Sequence, residues 1–329
     1  MGIRTKAALL NQAYDIFLVE RDLACGQDEV IVKNQLVGIC GSDKTFYRGQ
    51  LPPQTAEFRQ EPKFPFYLGH ESGGMVIEVG SQVREFKHGD RVMAFGWNNN
   101  FAEYFKAKAW ELQSAPEGLE MDLVALGEPI ACAMHSGMNS GVQLGDNVVV
   151  MGAGFAGQII AQCVRQKGAE KVIVVDVLDG KLELAKILGA DITVNASKQD
   201  TAEIIFDLTK GLGADVVVEA AGSQDSINLC TKIIRHNGKF VWYSWMTQPV
   251  TLDISRWHDD GLEFINTTLV HHTWKERDGW TEKALRPVVQ GKMKIKPLIT
   301  HEFKLEQIKE AFELVDKDDT AIKVVLRPQ

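Results

Sequence analysis

Four positions in the sequence carry donors that a metal ion accepts. Residues 66–74 read FYLGHESGG, with His70 and Glu71 adjacent and fenced by Gly69, Gly73 and Gly74. Upstream, GICGSD holds Cys40 in a glycine-flanked turn, and downstream LGEPIACAMHSG holds Glu128 just before Pro129. A thiolate, an imidazole and a carboxylate are ligand types for Zn2+, and three protein ligands with one open position make a catalytic site. Cys40, His70 and Glu71 supply such a set. Their separations are too wide for a zinc finger, so a fold rather than a short loop must gather them. Taken singly, a Cys or a His is more often a packed side chain than a ligand. Closely spaced glycines cost a helix roughly 1 kcal/mol each against alanine and permit positive φ or a close backbone approach. The stretch therefore reads as a loop or a strand end.

The elements that position these residues change character near residue 124. Before it, EVIVKNQLVGIC, GGMVIEVG, DRVMAFG and FAEYFKA are short β-type runs separated by Gly, Asp and Pro turns, the pattern of a small all-β unit. After it, NVVVMGAG and KVIVVD are apolar runs of fully buried strands, and GQIIAQCVRQKGA between them has helical spacing. Strand and helix alternate onward through GADVVVEAAG and KFVWYS to LEFINTTLV, as a parallel sheet requires. The tail shows one helical segment, LEQIKEAFELV, and a terminal strand, AIKVVL, expected to return to the first unit. At 329 residues the chain is too long for a single core. The expected division is residues 1–124, 125–268 and 269–329.

Gly152-Ala153-Gly154-Phe155-Ala156-Gly157 lies directly between a strand and a helix. The spacing alone is weak, but in this context the glycines serve a tight turn, a pyrophosphate approach and helix–strand packing. Asp176 ends the next strand, 19 residues beyond Gly157, where an acid bonds ribose hydroxyls. It repels a 2′-phosphate, which favours NAD over NADP, and Lys181 falls over the same ribose. The alternative is a phosphate-free α/β turn with a surface Asp.

Charge and composition remove other classes. A net charge of −8 excludes a nucleic-acid or anionic-membrane partner, since both need a basic face. No run approaches the roughly 20 apolar residues of a membrane span, and MGIRTKAALLNQAYDIFL has no apolar signal core. The expectation is a cytoplasmic protein. Five scattered cysteines, Cys25, Cys40, Cys132, Cys163 and Cys230, read as reduced thiols.

GHESGGMVIEVGSQV resembles the zinc signature of the zinc-dependent medium-chain alcohol and polyol dehydrogenases, particularly the sorbitol and threonine dehydrogenase branch. Gly69, His70, Glu71, Gly74, Gly80 and Val83 are in register. VGICGSD, FKHGDRV, FAEY, GEPIACAMHSG, GAGFAG, KLELAKILGAD and GADVVVEAAG follow in the family's order, so the resemblance spans nearly the whole chain. It implies a GroES-like, mainly-β catalytic domain joined to a Rossmann doubly wound parallel sheet. It also implies a zinc ion held by Cys40 with His70 and Glu71, the glycines letting the latter two approach. Glu128 is then an alternate ligand or a partner of the zinc's water; its other reading is a helix N-terminal charge. Zinc lowers the pKa of a substrate hydroxyl, and hydride passes reversibly from a secondary alcohol of a polyol, sugar alcohol or cyclitol to NAD. Ser42 matches the family's proton-accepting hydroxyl, against the alternative of a turn Ser bonding local backbone, and Asp43 orders the ligand loop. Cofactor contacts extend to Ala221, Gly222 and Ser244. The LEFINTTLV strand pairs with a symmetry mate, giving a homodimer or homotetramer.

Departures from the family pattern sharpen these expectations. No group of four close cysteines follows GDRV, so one zinc per chain is expected. Thr45 stands where polyol dehydrogenases usually have a His, and VWYSWMT brings Tyr243, Ser244 and Trp245 toward the nicotinamide. LVHHTWKERDGW adds His271, His272, Trp274 and Trp280, at a substrate cleft or an interface patch. Three rival readings remain: a smaller secondary alcohol, amino alcohol or hydroxysulfonate as substrate; a zinc-free reductase of the quinone oxidoreductase type; and a non-catalytic cofactor binder.

Overall fold

The computed structural model describes residues 2–50, 63–267, 269 and 279–328. The chain divides into two compact units, Met1–Ala131 with His272–Gln329, and Cys132–His271.

The first unit is mainly β. Its early strands are β1 (Ile3–Gln12), β2 (Asp15–Leu23), β3 (Glu29–Ile39), β4 (Phe66–Tyr67), β5 (Glu71–Val79), β6 (Arg91–Ala94), β7 (Tyr104–Lys108) and β8 (Leu112–Ser114). Its helices here are α1 (Gly41–Tyr47), α2 (Met121–Ala125) and the start of α3 (Gly127–Asn139), within which the chain leaves the unit. β3 is the organiser: eight of its eleven residues are buried, and it pairs antiparallel with β5 and β7. Val30, Val32, Val76, Val92 and Phe105 make one core, and Leu10, Phe46, Tyr47, Phe101 and Phe312 make another.

The second unit is a doubly wound sheet of β9 (Asn147–Met151), β10 (Lys171–Asp176), β11 (Ile192–Asn195), β12 (Ala214–Glu219), β13 (Ile234–Trp242) and β14 (Glu263–Asn266). The strands are parallel in the order β11-β10-β9-β12-β13-β14. Crossover helices are α4 (Phe155–Gln166), α5 (Asp179–Ile187), α6 (Thr201–Leu208) and α7 (Gln224–Ile233), and the short α8 (Trp257–Asp260) precedes β14. Val148–Val150 and Val172–Val175 are wholly buried, as strands covered on both faces must be. The strand order turns back beside β9, the place where such sheets bind ligands. β14 forms an open edge with Phe264 41% exposed.

The tail differs from expectation in one respect. Among the described residues it holds two helices, α9 (Trp280–Val289) and α10 (Ile308–Lys317), between which β15 (Ile299–Lys304) runs, and β16 (Lys323–Arg327) follows. Gly279 and Pro287 disguise α9 in the sequence. Yet Thr281, Ala284, Leu285 and Val288 form a buried helical stripe, and Pro287 falls in the last turn. β16 returns to pair antiparallel with β3, completing the order β15-β16-β3-β5-β6-β8.

Candidate functional site

The strand register of the first unit gathers the donors. In β3, Gly38 pairs with Glu71 of β5 on one side and with Val325 of β16 on the other. The end of one strand thus meets the beginnings of two others. Cys40 follows β3, His70 and Glu71 open β5, and Lys323 opens β16, so four residues from three distant parts of the sequence converge. The ligand atoms of Cys40, His70 and Glu71 all lie within 4.8 Å of one another. Cys40 sits at the N-terminus of α1 rather than in a free turn, because its N–H donates to Asp43 Oδ2 at 2.9 Å. The other oxygen of the fully buried Asp43 lies 3.6 Å from His70 Nδ1. One carboxylate therefore holds the backbone of Cys40 and faces the ring of His70.

The pocket is strongly charged for its depth. Glu71 is 1% and Lys323 4% exposed. Lys323 Nζ donates to both carboxylate oxygens of Glu71, at 2.8 and 2.7 Å, and to the Ile39 carbonyl at 3.3 Å. Burial disfavours the ammonium, but Glu71 and then Cys40 outweigh it and raise the Lys323 pKa above the ordinary lysine value. Burial likewise disfavours a charged His70, yet Asp43, followed by Cys40, holds its pKa well above the usual histidine range. Gly38 makes room for the pair, since a Cβ there would overlap Glu71 Oε2. The Trp97 ring packs on His70 at 4.3 Å between centroids and meets Phe46 edge-on at 5.2 Å.

Other positions singled out in the sequence fall as follows. Glu128 is in the first turn of α3, close enough for its charge to act on Lys323, but outside the 4.8 Å donor set. Ser42 is half-buried in the first turn of α1. Thr45 Oγ1 donates to the Gly41 carbonyl at 3.1 Å, a bond within the helix. The glycine fence serves the sheet: a Cβ at Gly74 would overlap the Lys33 carbonyl, and one at Gly73 would press on the Val92 carbonyl. Only Gly69, at φ +107°, is needed for backbone conformation. Gly73 and Gly74 thus let neighbouring backbone approach β5 closely. Lys323 and Gly38 escaped the sequence reading; the signal for Lys323 was a cation inside the apolar run AIKVVL.

The second unit presents a separate constellation at the C-terminal ends of its strands. Gly152, at φ +101°, turns the chain from β9, and Gly157 lies where any Cβ would overlap the Gly152 carbonyl. At Gly154 a Cβ would meet nothing within 4 Å, so that side of the loop is open, with Phe155 and Ala156 beginning α4 behind it. Asp176 accepts the Ala153 N–H on Oδ2 at 2.7 Å, and the Val177 and Leu178 N–H groups on Oδ1 at 2.8 and 3.0 Å. Lys181 is half-buried in the first turn of α5. Ala221 and Gly222 donate to Glu219 Oε1 at 3.0 and 2.7 Å. The Ser244 side chain lies beside Gly222, while the Trp242 indole donates to the Ser244 carbonyl at 2.7 Å and shapes the turn carrying Tyr243 and Trp245. His271, His272 and Trp274 lie outside the described residues, and Trp280 opens α9 half-buried.

Both units have counterparts in known proteins. The alcohol dehydrogenase GroES-like domain matches residues 26–119, and the zinc-binding dehydrogenase domain matches residues 156–283. Sorbitol dehydrogenase 1 of Saccharomyces cerevisiae is 31% identical, with 93% of each chain covered. L-threonine 3-dehydrogenase of Bacillus velezensis is 28% identical, with 100% of each chain covered. Galactitol-1-phosphate dehydrogenase of Escherichia coli has the same fold, with a TM-score of 0.86 at 24% identity over 98% of this chain and 100% of that one.

Proposed function

The chain belongs to the zinc-type medium-chain alcohol dehydrogenases, polyol and threonine branch, and from that premise we propose that it oxidises a secondary hydroxyl of a polyol, sugar alcohol or cyclitol. The reaction is reversible, with NAD as acceptor and one zinc ion per chain. The observation that carries the proposal is the convergence of Cys40, His70 and Glu71 donor atoms within 4.8 Å. A thiolate, an imidazole and a carboxylate fit zinc, and Asp43 beside His70 Nδ1 leaves Nε2 to face an ion. Sorbitol, threonine and galactitol phosphate, for which the relatives are named, each carry a hydroxyl next to another polar group.

Zinc held there supplies a Lewis acid that lowers the pKa of a substrate hydroxyl. Ser42 Oγ takes the hydroxyl proton. Lys323 Nζ bonds both oxygens of the buried Glu71 carboxylate and holds it in place, and Glu128 is the second carboxylate within reach. Thr45, where polyol dehydrogenases usually have a His, donates its hydroxyl to the Gly41 carbonyl. In the second unit, the open side of Gly154, with Ala221, Gly222 and Ser244, would hold NAD, which would supply the hydride acceptor. Three amides occupy three of the roughly four acceptor positions of the Asp176 carboxylate. One remains for a ribose hydroxyl, Lys181 covers the same sugar, and a 2′-phosphate is repelled. The exposed β14 edge pairs with its symmetry mate in a homodimer or homotetramer. No helix among the described residues is long and apolar enough to cross a membrane, and the reaction is assigned to the cytoplasm.

The test follows NADH formation across sugar alcohols, inositols, aminocyclitols, amino alcohols, hydroxysulfonates and simple secondary alcohols. Turnover of a polyol or cyclitol with NAD is expected. Selective turnover of simple alcohols rejects the substrate class, and kcat/KM with NADP equal to or above that with NAD rejects the cofactor.

A further inference from the structure

Gln158 is a buried polar side chain that neither the glycine motif nor the chemistry uses. It lies in the first turn of α4 and is 1% exposed. Its Nε2 donates to the Ala153 carbonyl at 3.3 Å and to the Lys181 carbonyl at 2.9 Å. The two carbonyls decide which way the amide points, and they leave Oε1 buried with no hydrogen-bond partner. An unpaired buried acceptor is a cost to the fold that a methionine of similar shape would not carry. What the amide gains is a connection. Ala153 is held from both sides, its N–H by Asp176 and its carbonyl by Gln158. Through Lys181 the same amide reaches the first turn of α5.

We propose that Gln158 is a positioning residue for the adenosine half of the cofactor, locking the glycine loop to the first turn of α5. It thereby fixes the separation between the phosphate approach at Gly154 and the ribose-facing Asp176 and Lys181. The proposal rests on the reading that NAD is the cofactor.

The test compares the full-length wild type, Gln158→Met and Gln158→Asn by calorimetric titration with NADH and with ADP-ribose, alongside kcat at saturating NAD and thermal melting. Asn keeps the amide but is too short to reach both carbonyls. In both variants Kd for NADH and for ADP-ribose rises in parallel by about tenfold, while kcat and melting temperature stay near wild type. Wild-type Kd values in a folded Met variant overturn the proposal, as does a parallel fall of kcat, affinity and melting temperature. If the Met variant does not fold, the Asn variant decides by the same criteria. A wild type that binds neither ligand is a different failure: it removes the NAD reading itself, and the proposal with it.

Discussion

The Cys40 pocket and the glycine loop solve opposite problems. The pocket holds polar side chains out of water, so each needs a partner: Lys323 Nζ bonds both Glu71 oxygens, and Asp43 faces the His70 ring. The loop offers backbone and empty space, and its requirement is the absence of side chains at Gly152 and Gly157, with open space beside Gly154. One depends on compensation between distant strands, the other on the shape of a single contiguous turn. Damage should therefore register as lost chemistry and lost stability in the first, and as lost packing or lost cofactor in the second.

The sharpest separation comes from Cys40→Ser. Turnover should fall to background with loss of bound zinc, while NADH affinity in a calorimetric titration stays near wild type. A parallel loss of NADH binding would show that the two regions are not independent. Lys323→Met comes next. Removing one partner of a buried pair leaves an uncompensated charge, and unfolding in urea should report a loss of about 3–5 kcal/mol. Glu71→Gln in the same chain should restore most of it, because the orphaned charge is then gone. A destabilisation below 1 kcal/mol in the single variant would mean, on the scale of exposed pairs, that the pair is not solvent-excluded.

Two glycines test the loop. Gly157→Ala forces a methyl into the Gly152 carbonyl and should cost about 1–3 kcal/mol of stability. Gly154→Ala has open space and should leave melting unchanged while weakening NADH binding, because its methyl enters the phosphate approach. Equal stability loss in both would contradict the assignment of the open side.

The smallest effect expected is at the surface of the first unit. The Arg327 guanidinium, hydrogen-bonded to Asp122 at 3.0 and 2.7 Å, holds the Asp122 carboxyl below its usual value. A depressed carboxyl contributes stability above its unfolded pKa, about 3.9, and loses it as pH falls through the folded value. Asp122→Asn should flatten that acid limb in pH-dependent melting. The pair is about one-third exposed, so the difference should not exceed about 1 kcal/mol.

The contrast also explains what could be read in advance. The dinucleotide loop is local: strand, glycines and Asp176 lie within one stretch, and their order in sequence is their order in space. Cys40, His70 and Glu71 were recognisable as donors by type. Lys323 was not recognisable as their neighbour, because only the β16–β3–β5 register brings position 323 to position 71. Gly38 looked like a turn residue and proved to be a cavity for a carboxylate. The donor role of Glu128 rested on likeness, and the geometry places it at the head of α3, outside the close set. Helix α9 was hidden because Pro287 and Gly279 are breakers by type, and their positions at its two ends make them harmless.

The central claim is that one zinc ion, held by the Cys40 pocket, makes this chain an NAD-linked dehydrogenase. Elemental analysis of the purified protein, with polyol-dependent NADH formation followed through chelation and zinc readdition, tests it most directly. The account expects one zinc per chain, loss of turnover on chelation and recovery when zinc is returned. Two zinc ions per chain, or turnover untouched by complete removal of the metal, would contradict it.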